Sequence, residues 1–151
     1  VVTSQAPVSE FSADPKNAYA VVDLSATYAG QVAAATRRFA LQLDRGIVIE
    51  DQLTGGAKPA KVRWGMVTPA RLKADGPNRA WLEQDGKRLR FEVLSPARVT
   101  IQSWPADPPP RDYDKRNPGV SVVGFTVPIE PGEKLALKVL LRPEAGAGRR
   151  G

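Results

Sequence analysis

Histidine and cysteine are both absent from the 151 residues, which removes imidazole bases, thiolate nucleophiles, disulfides and Cys/His zinc sites. Three tyrosines remain as groups able to take and return a proton. A tyrosine does so in a β-elimination when a cation or amide beside it neutralises the substrate carboxylate. Tyr19 and Tyr28 fall at strand ends and read as packing aromatics. Tyr113 lies in a charged loop between Arg111 and Lys115, the one local grouping that admits a lyase site. No spacing demonstrates that geometry, so no catalytic residue is assigned.

Binding chemistry is better represented. Lys87, Arg88, Arg90 and Arg98 form a basic set: Arg88 and Arg90 share a strand face, and Arg98 is expected outward on the next strand. Guanidinium groups in such a stripe suit sulfate or carboxylate oxygens, although charged residues on a strand face ordinarily do no more than keep it soluble and blunt its edges. In Arg37-Arg38, period two turns one side chain inward, where it needs a carboxylate such as Glu50 or Asp51 across the hairpin. Trp81 and Trp104 fall on the polar side of their alternations, where an indole face can stack on a sugar or pack on a neighbour; Trp64 is a third candidate. Asp112, Asp114 and Asn117 are hard oxygen donors, but their spacing departs from a calcium-loop pattern, and no metal or cofactor is assigned.

These residues need a scaffold, and 14 prolines with 13 glycines leave few windows long enough for a stable helix. Short strands fit instead. They are expected over 18–24, 39–43 (with 31–36 as run-in) and 47–51, the last two closed by the turn Asp44-Arg45-Gly46. Further strands follow over 62–67, 80–83 and 89–93, and Asp85-Gly86 marks a hairpin. Alternation over 97–103 predicts a third meander strand there. Residues 105–119 hold five prolines and form a long irregular loop; strands 120–129 and 135–141 come after it, joined by Glu130-Pro131-Gly132-Glu133. The fold class is all-β, an antiparallel β-sandwich of about eight strands over 18–143, with a lead-in at 1–17 and a flexible tail at 144–151.

Net charge is +6, and residues 61–103 hold nine Lys/Arg against four Asp/Glu. Such a region attracts polyanions in general and does not choose among them. With 42% hydrophobic and 25% charged residues the composition is that of a packed globular domain. No apolar run is long enough to span a bilayer. The opening Val1-Val2-Thr3 carries neither an initiator Met nor a leader pattern, and reads as the start of an excised domain or mature fragment.

The order of these pieces resembles the C-terminal β-sheet region of the heparinase II/III-like polysaccharide lyases. The likeness is carried by AYAVVDLSATYAG from Ala18, TRRFALQLDRGIVIEDQL from Thr36, VRWGMVTPARL from Val62, AWLEQDGKRLRFEVLSPARVTIQ from Ala80 and KLALKVLLRPE from Lys134. It implies an N-terminal helical toroid, C-terminal antiparallel sheets, and a periplasmic or secreted enzyme that cleaves acidic polysaccharide by β-elimination. It also implies a catalytic Tyr with His and Asn or Glu, drawn chiefly from the toroid and first sheet; without histidine, no family catalytic His carries over. Three readings follow: a non-catalytic C-terminal domain supporting the toroid, a stand-alone binding module for acidic glycans, and a self-sufficient lyase using Tyr113. The expected partners are the toroid and an acidic polysaccharide held by Lys87, Arg88, Arg90 and Arg98. Neither nucleic acid nor a membrane span is expected.

Overall fold

The computed structural model describes residues 4–109, 111 and 113–145. Its eleven strands are β1 (Val8–Ser12), β2 (Tyr19–Asp23), β3 (Val32–Leu41), β4 (Ile47–Gly55), β5 (Ala60–Thr68), β6 (Arg71–Ala74), β7 (Arg79–Gln84), β8 (Lys87–Ser95), β9 (Gln102–Pro105), β10 (Ser121–Ile129) and β11 (Lys134–Pro143). Eight form one antiparallel sheet in the order β1-β2-β3-β4-β11-β8-β7-β6, and three form a second in the order β5-β10-β9. The turns do what their residues dictate. Asp85 and Gly86 both take positive φ, 50° and 71°, the backbone a two-residue hairpin between right-twisted strands needs. Arg45 is likewise left-handed at 66°, with Asp44 accepting a hydrogen bond from Gly46 N–H at 3.0 Å.

Directly paired residues in an antiparallel sheet share a face, so the register traces which side chains meet the core. One inward row runs Phe11, Ala20, Phe39, Ile49, Val139, Val93 across β1, β2, β3, β4, β11 and β8. Exposure along it falls from 75% at Phe11 to 38% at Phe39, 7% at Ile49 and zero at Val139 and Val93. The small sheet causes the fall. Its inward residues Trp64, Val123, Phe125 and Val127 pack against Ile49, Leu82, Phe91, Val93, Leu137 and Val139 and reach Arg37 on β3, whereas β1 and the Phe39–Leu41 end of β3 extend past its edge with Phe11, Phe39 and Leu41 exposed. Leu41, 52% exposed, and its partner Ile47 belong to the same uncovered area.

Three sequence expectations change. The lead-in contains a strand, β1, that pairs with β2; its alternation is short and mixed, and the pairing comes from a neighbour the segment itself does not reveal. A strand at 97–103 does not form: only Gln102–Pro105 enters a ladder, as β9 in the small sheet. Val99 is nevertheless buried and Ile101 packs on the core, so the alternation marked inward side chains correctly while no strand lay alongside to pair with 97–101. Beside β8 stands β11, so the meander is β6-β7-β8. At the other end, Glu144 is tied down, its N–H bonded to Arg88 O at 2.9 Å; residues 146–151 of the expected tail lie outside the described residues.

Candidate functional site

A concavity lies where the two sheets part, between β3 and β4 on one side and β5 on the other. β5 is an edge strand, and the connection from β2 to β3 closes one end with Leu24, Tyr28 and Gln31. The cleft encloses about 380 Å³. At its base Arg37 donates from Nε and Nη2 to the two oxygens of Asp51 at 2.6 and 2.8 Å. Asp51 is only 5% exposed, the one buried charged residue described. The pair sits in direct register between β3 and β4, so the inward turn expected for one of Arg37-Arg38 falls on Arg37. Its guanidinium pKa is raised, first by the hydrogen bond to Asp51. Arg38 points outward and lies 4.5 Å above the Tyr19 ring.

Trp64 forms the wall of the cleft on β5. Its ring stacks between Phe91 and Phe125, centroids 5.6 and 5.8 Å away, and the Arg37 guanidinium lies 5.6 Å from it. The indole Nε1–H is sealed from solvent and has no acceptor among the described residues. A buried donor left unmade costs about 1–3 kcal/mol, which the aromatic contacts of the ring must offset.

The stripe on the outer face of the large sheet is a lattice of alternating charge. Arg71 lies 3.5 Å from Glu83, Arg88 3.2 Å from Glu83 and 2.8 Å from Glu144, and Arg90 3.3 Å from Glu92 and 3.9 Å from Asp75. The Arg88 Nε–H faces Glu83 outside hydrogen-bonding geometry and is otherwise unsatisfied. Trp81 is part of this lattice: the Arg88 guanidinium covers its ring at 4.1 Å and Arg90 stands at 5.4 Å. Lys87 is exposed at the hairpin turn and has no ion-pair partner among the described residues. Arg98 is not brought to Arg88 and Arg90. It stands exposed on the connection from β8 to β9, with Pro77, Gln102 and Thr126 around a shallow depression. Trp104 lies beside Arg63, 5.4 Å from the guanidinium, on the outer face of the small sheet.

The three tyrosines stand on separate elements: Tyr19 under Arg38, Tyr28 at the cleft and Tyr113 in the long loop. Tyr113 accepts a hydrogen bond from Arg111, while Asp107 in the same loop is taken by Arg116, Nε to Oδ1 at 2.9 Å. Arg116 holds the Asp107 carboxyl below the usual carboxylate range. Asp112 of the expected calcium donors lies outside the described residues, and no cluster of three metal-ligating acids occurs among the others. Sequence reasoning found the inward arginine, read Tyr28 as a packing aromatic and Trp64 as a stacking candidate without placing either at a cleft, and missed Gln31. The only signal for the cleft was a buried-type Trp on β5 opposite an inward charge.

No family model matches the sequence, and no curated protein does. Solved structures do match. Heparan sulfate lyase HepC from Pedobacter heparinus superposes with TM-score 0.69 at 13% identity, over 97% of this chain and 23% of that one. A heparinase III gene product gives 0.68 at 14%, over 95% and 22%. The fold is that of a segment of heparinase III. A further heparinase III structure agrees at 0.64 and 11% identity, covering 94% of this chain and 22% of its own. The chain thus spans less than a quarter of the heparinase structures it resembles, and among its described residues no helix is long and apolar enough to cross a membrane.

Proposed function

We propose that this chain is the non-catalytic C-terminal β-sandwich of a heparinase II/III-like polysaccharide lyase, seated against a helical toroid that cleaves acidic polysaccharide by β-elimination in the periplasm or outside the cell. The observation that carries this reading is the asymmetry of the structural match: nearly all of this chain corresponds to under a quarter of each lyase. The uncovered end of the large sheet supports it, because Phe11 on β1 and Phe39 and Leu41 on β3 remain exposed on the side of the sheet that elsewhere forms the core. A contiguous apolar patch of this kind marks a protein contact. Of the four cations expected to meet the glycan, Arg88 and Arg90 are engaged by carboxylates, which leaves uncommitted charge at Lys87 and Arg98.

The test compares the purified chain with the longer reading frame that contains it. Each is incubated with heparan sulfate, and the ultraviolet absorbance of unsaturated uronate products is followed. The chain alone is expected to release none and the longer protein to release them steadily. Product from the chain alone, or a longer frame without a helical domain, overturns the reading.

A further inference from the structure

We propose that the outer face of the small sheet binds a chain of acidic sugars, with Lys61, Arg63 and Arg98 meeting its sulfate or carboxylate oxygens around Trp104. The sugar class rests on the lyase reading; the preference for a polyanion rests on this face alone. Register puts Lys61 opposite Pro128, Arg63 opposite Thr126 and Gly65 opposite Gly124, with Gln102 and Trp104 beside Gly124 and Val122. Directly paired residues share a face, and this one turns away from the core that Trp64, Phe125 and Val127 enter. Lys61, Arg63, Gln102 and Thr126 are exposed on it, and Trp104 is half-buried.

The charge here is unbalanced. β5, β9 and β10 contain no Asp or Glu, whereas Arg71, Arg88 and Arg90 on the large sheet each reach a carboxylate. Lys61, Arg63 and Arg98 form no ion pair among the described residues. Of the acids just beyond these strands, Asp107 is held by Arg116, and Glu130 and Glu133 are joined in the turn after β10, where Glu133 accepts the Glu130 N–H. Arg98 joins the strand cations because it shares the depression beside Pro77 with Gln102 and Thr126, and Thr126 stands opposite Arg63. Arg63 also lies 5.4 Å from the Trp104 ring, although β10 runs between their strands. The two meet at the level of Gly124, which has no side chain to intervene. Guanidinium groups on such a face suit the oxygens of sulfate or carboxylate, and an indole beside them takes the apolar side of a sugar ring. A bound polyanion gains further by releasing its counterions. The single aromatic favours a sugar chain over a nucleic acid strand, which stacks successive bases on several rings.

Proton–nitrogen NMR of the unsubstituted chain reads the face directly, with the Trp104 indole signal identified by its loss in Trp104→Phe. The chain is titrated at low salt with a heparan sulfate hexasaccharide, a hyaluronate hexasaccharide, neutral cellohexaose and a thymidylate hexanucleotide. A saturable shift of the Trp104 signal with the first alone identifies sulfate as the required group, a shift with the first two shows that carboxylate suffices, and either supports the proposal. Arg63→Gln/Arg98→Gln is expected to weaken that binding about tenfold or more. Lys16→Gln/Lys73→Gln removes the same charge from other surfaces and is expected to change it by less than about twofold. All four side chains are exposed, so the core is untouched. A flat titration, a response to cellohexaose or the hexanucleotide as strong as that to the acidic sugars, or equal losses in the two variants overturns the proposal. A flat titration together with product from the longer reading frame overturns this face and leaves the lyase reading standing; selective binding beside a longer frame without a helical domain does the reverse.

Discussion

Arg37 and Asp51 form the most consequential pair in the molecule, because Asp51 is almost wholly buried and Arg37 supplies both of its charge-assisted contacts. Removing one member of a buried pair strands the other charge, whereas removing both leaves apolar contact in its place. Arg37→Met is therefore expected to lower stability by about 3 kcal/mol, and Arg37→Met/Asp51→Leu by about 1 kcal/mol or less, as read from urea unfolding. A double variant as unstable as the single one would show that the pair does more than neutralise itself. The long loop offers a pH test. Arg116, through its hydrogen bonds, depresses the Asp107 pKa. A depressed carboxyl contributes fully above its unfolded value and loses that contribution as pH falls through its folded one. Carboxyl-carbon NMR is expected to find the Asp107 midpoint raised toward the ordinary aspartate value in Arg116→Gln; an unmoved midpoint would place the cause elsewhere.

Among the elements, the β5–β10 pair depends on two glycines facing each other, Gly65 and Gly124. A Cβ on Gly124 would lie 1.9 Å from the Trp64 carbonyl oxygen, a backbone atom that cannot swing aside as a side chain does. Gly124→Ala is expected to cost about 3 kcal/mol and to displace Trp64, seen as a lower urea midpoint with altered near-ultraviolet dichroism. A midpoint within error of the unsubstituted chain would mean that the strand relaxes easily. On β7 and β8 the arginines interlock with Glu83, Glu92 and Trp81, so this hairpin is braced across its outer face. The same pairing explains why a basic run legible along one strand is not a basic surface: Glu92 lies on β8 itself, and the other carboxylates arrive from β7, from Asp75 after β6 and from Glu144 at the far end of the chain.

Taken whole, the molecule has eight strands facing three, and the mismatch leaves part of the larger sheet's inner face open. Apolar area in water binds hydrophobic dyes and partners. Phe11→Ser/Leu41→Ser is expected to reduce dye fluorescence markedly while shifting the unfolding free energy by no more than about 0.5 kcal/mol, since both side chains are already exposed. Unchanged dye binding would show that this face is not the apolar patch in question, and a large loss of stability would show that it belongs to the core after all.

Period-two alternation and turn residues made most of the ladder readable in advance: β2 to β5, the Asp85-Gly86 hairpin, β10 and β11, and the inward turn of one arginine at 37–38 all follow from local patterns. Those patterns work because a side chain's face and a turn's φ depend on the residues within a few positions. Which sheet each strand joins depends on contacts between distant segments, and these seat β11 between β4 and β8 and carry β9 to β10. The carboxylates that reach the stripe from β7 and Glu144, the exposed apolar end of the large sheet and the cleft between the sheets all arise from that assembly. Each is set by what lies across from a residue, and no neighbour along the chain encodes it.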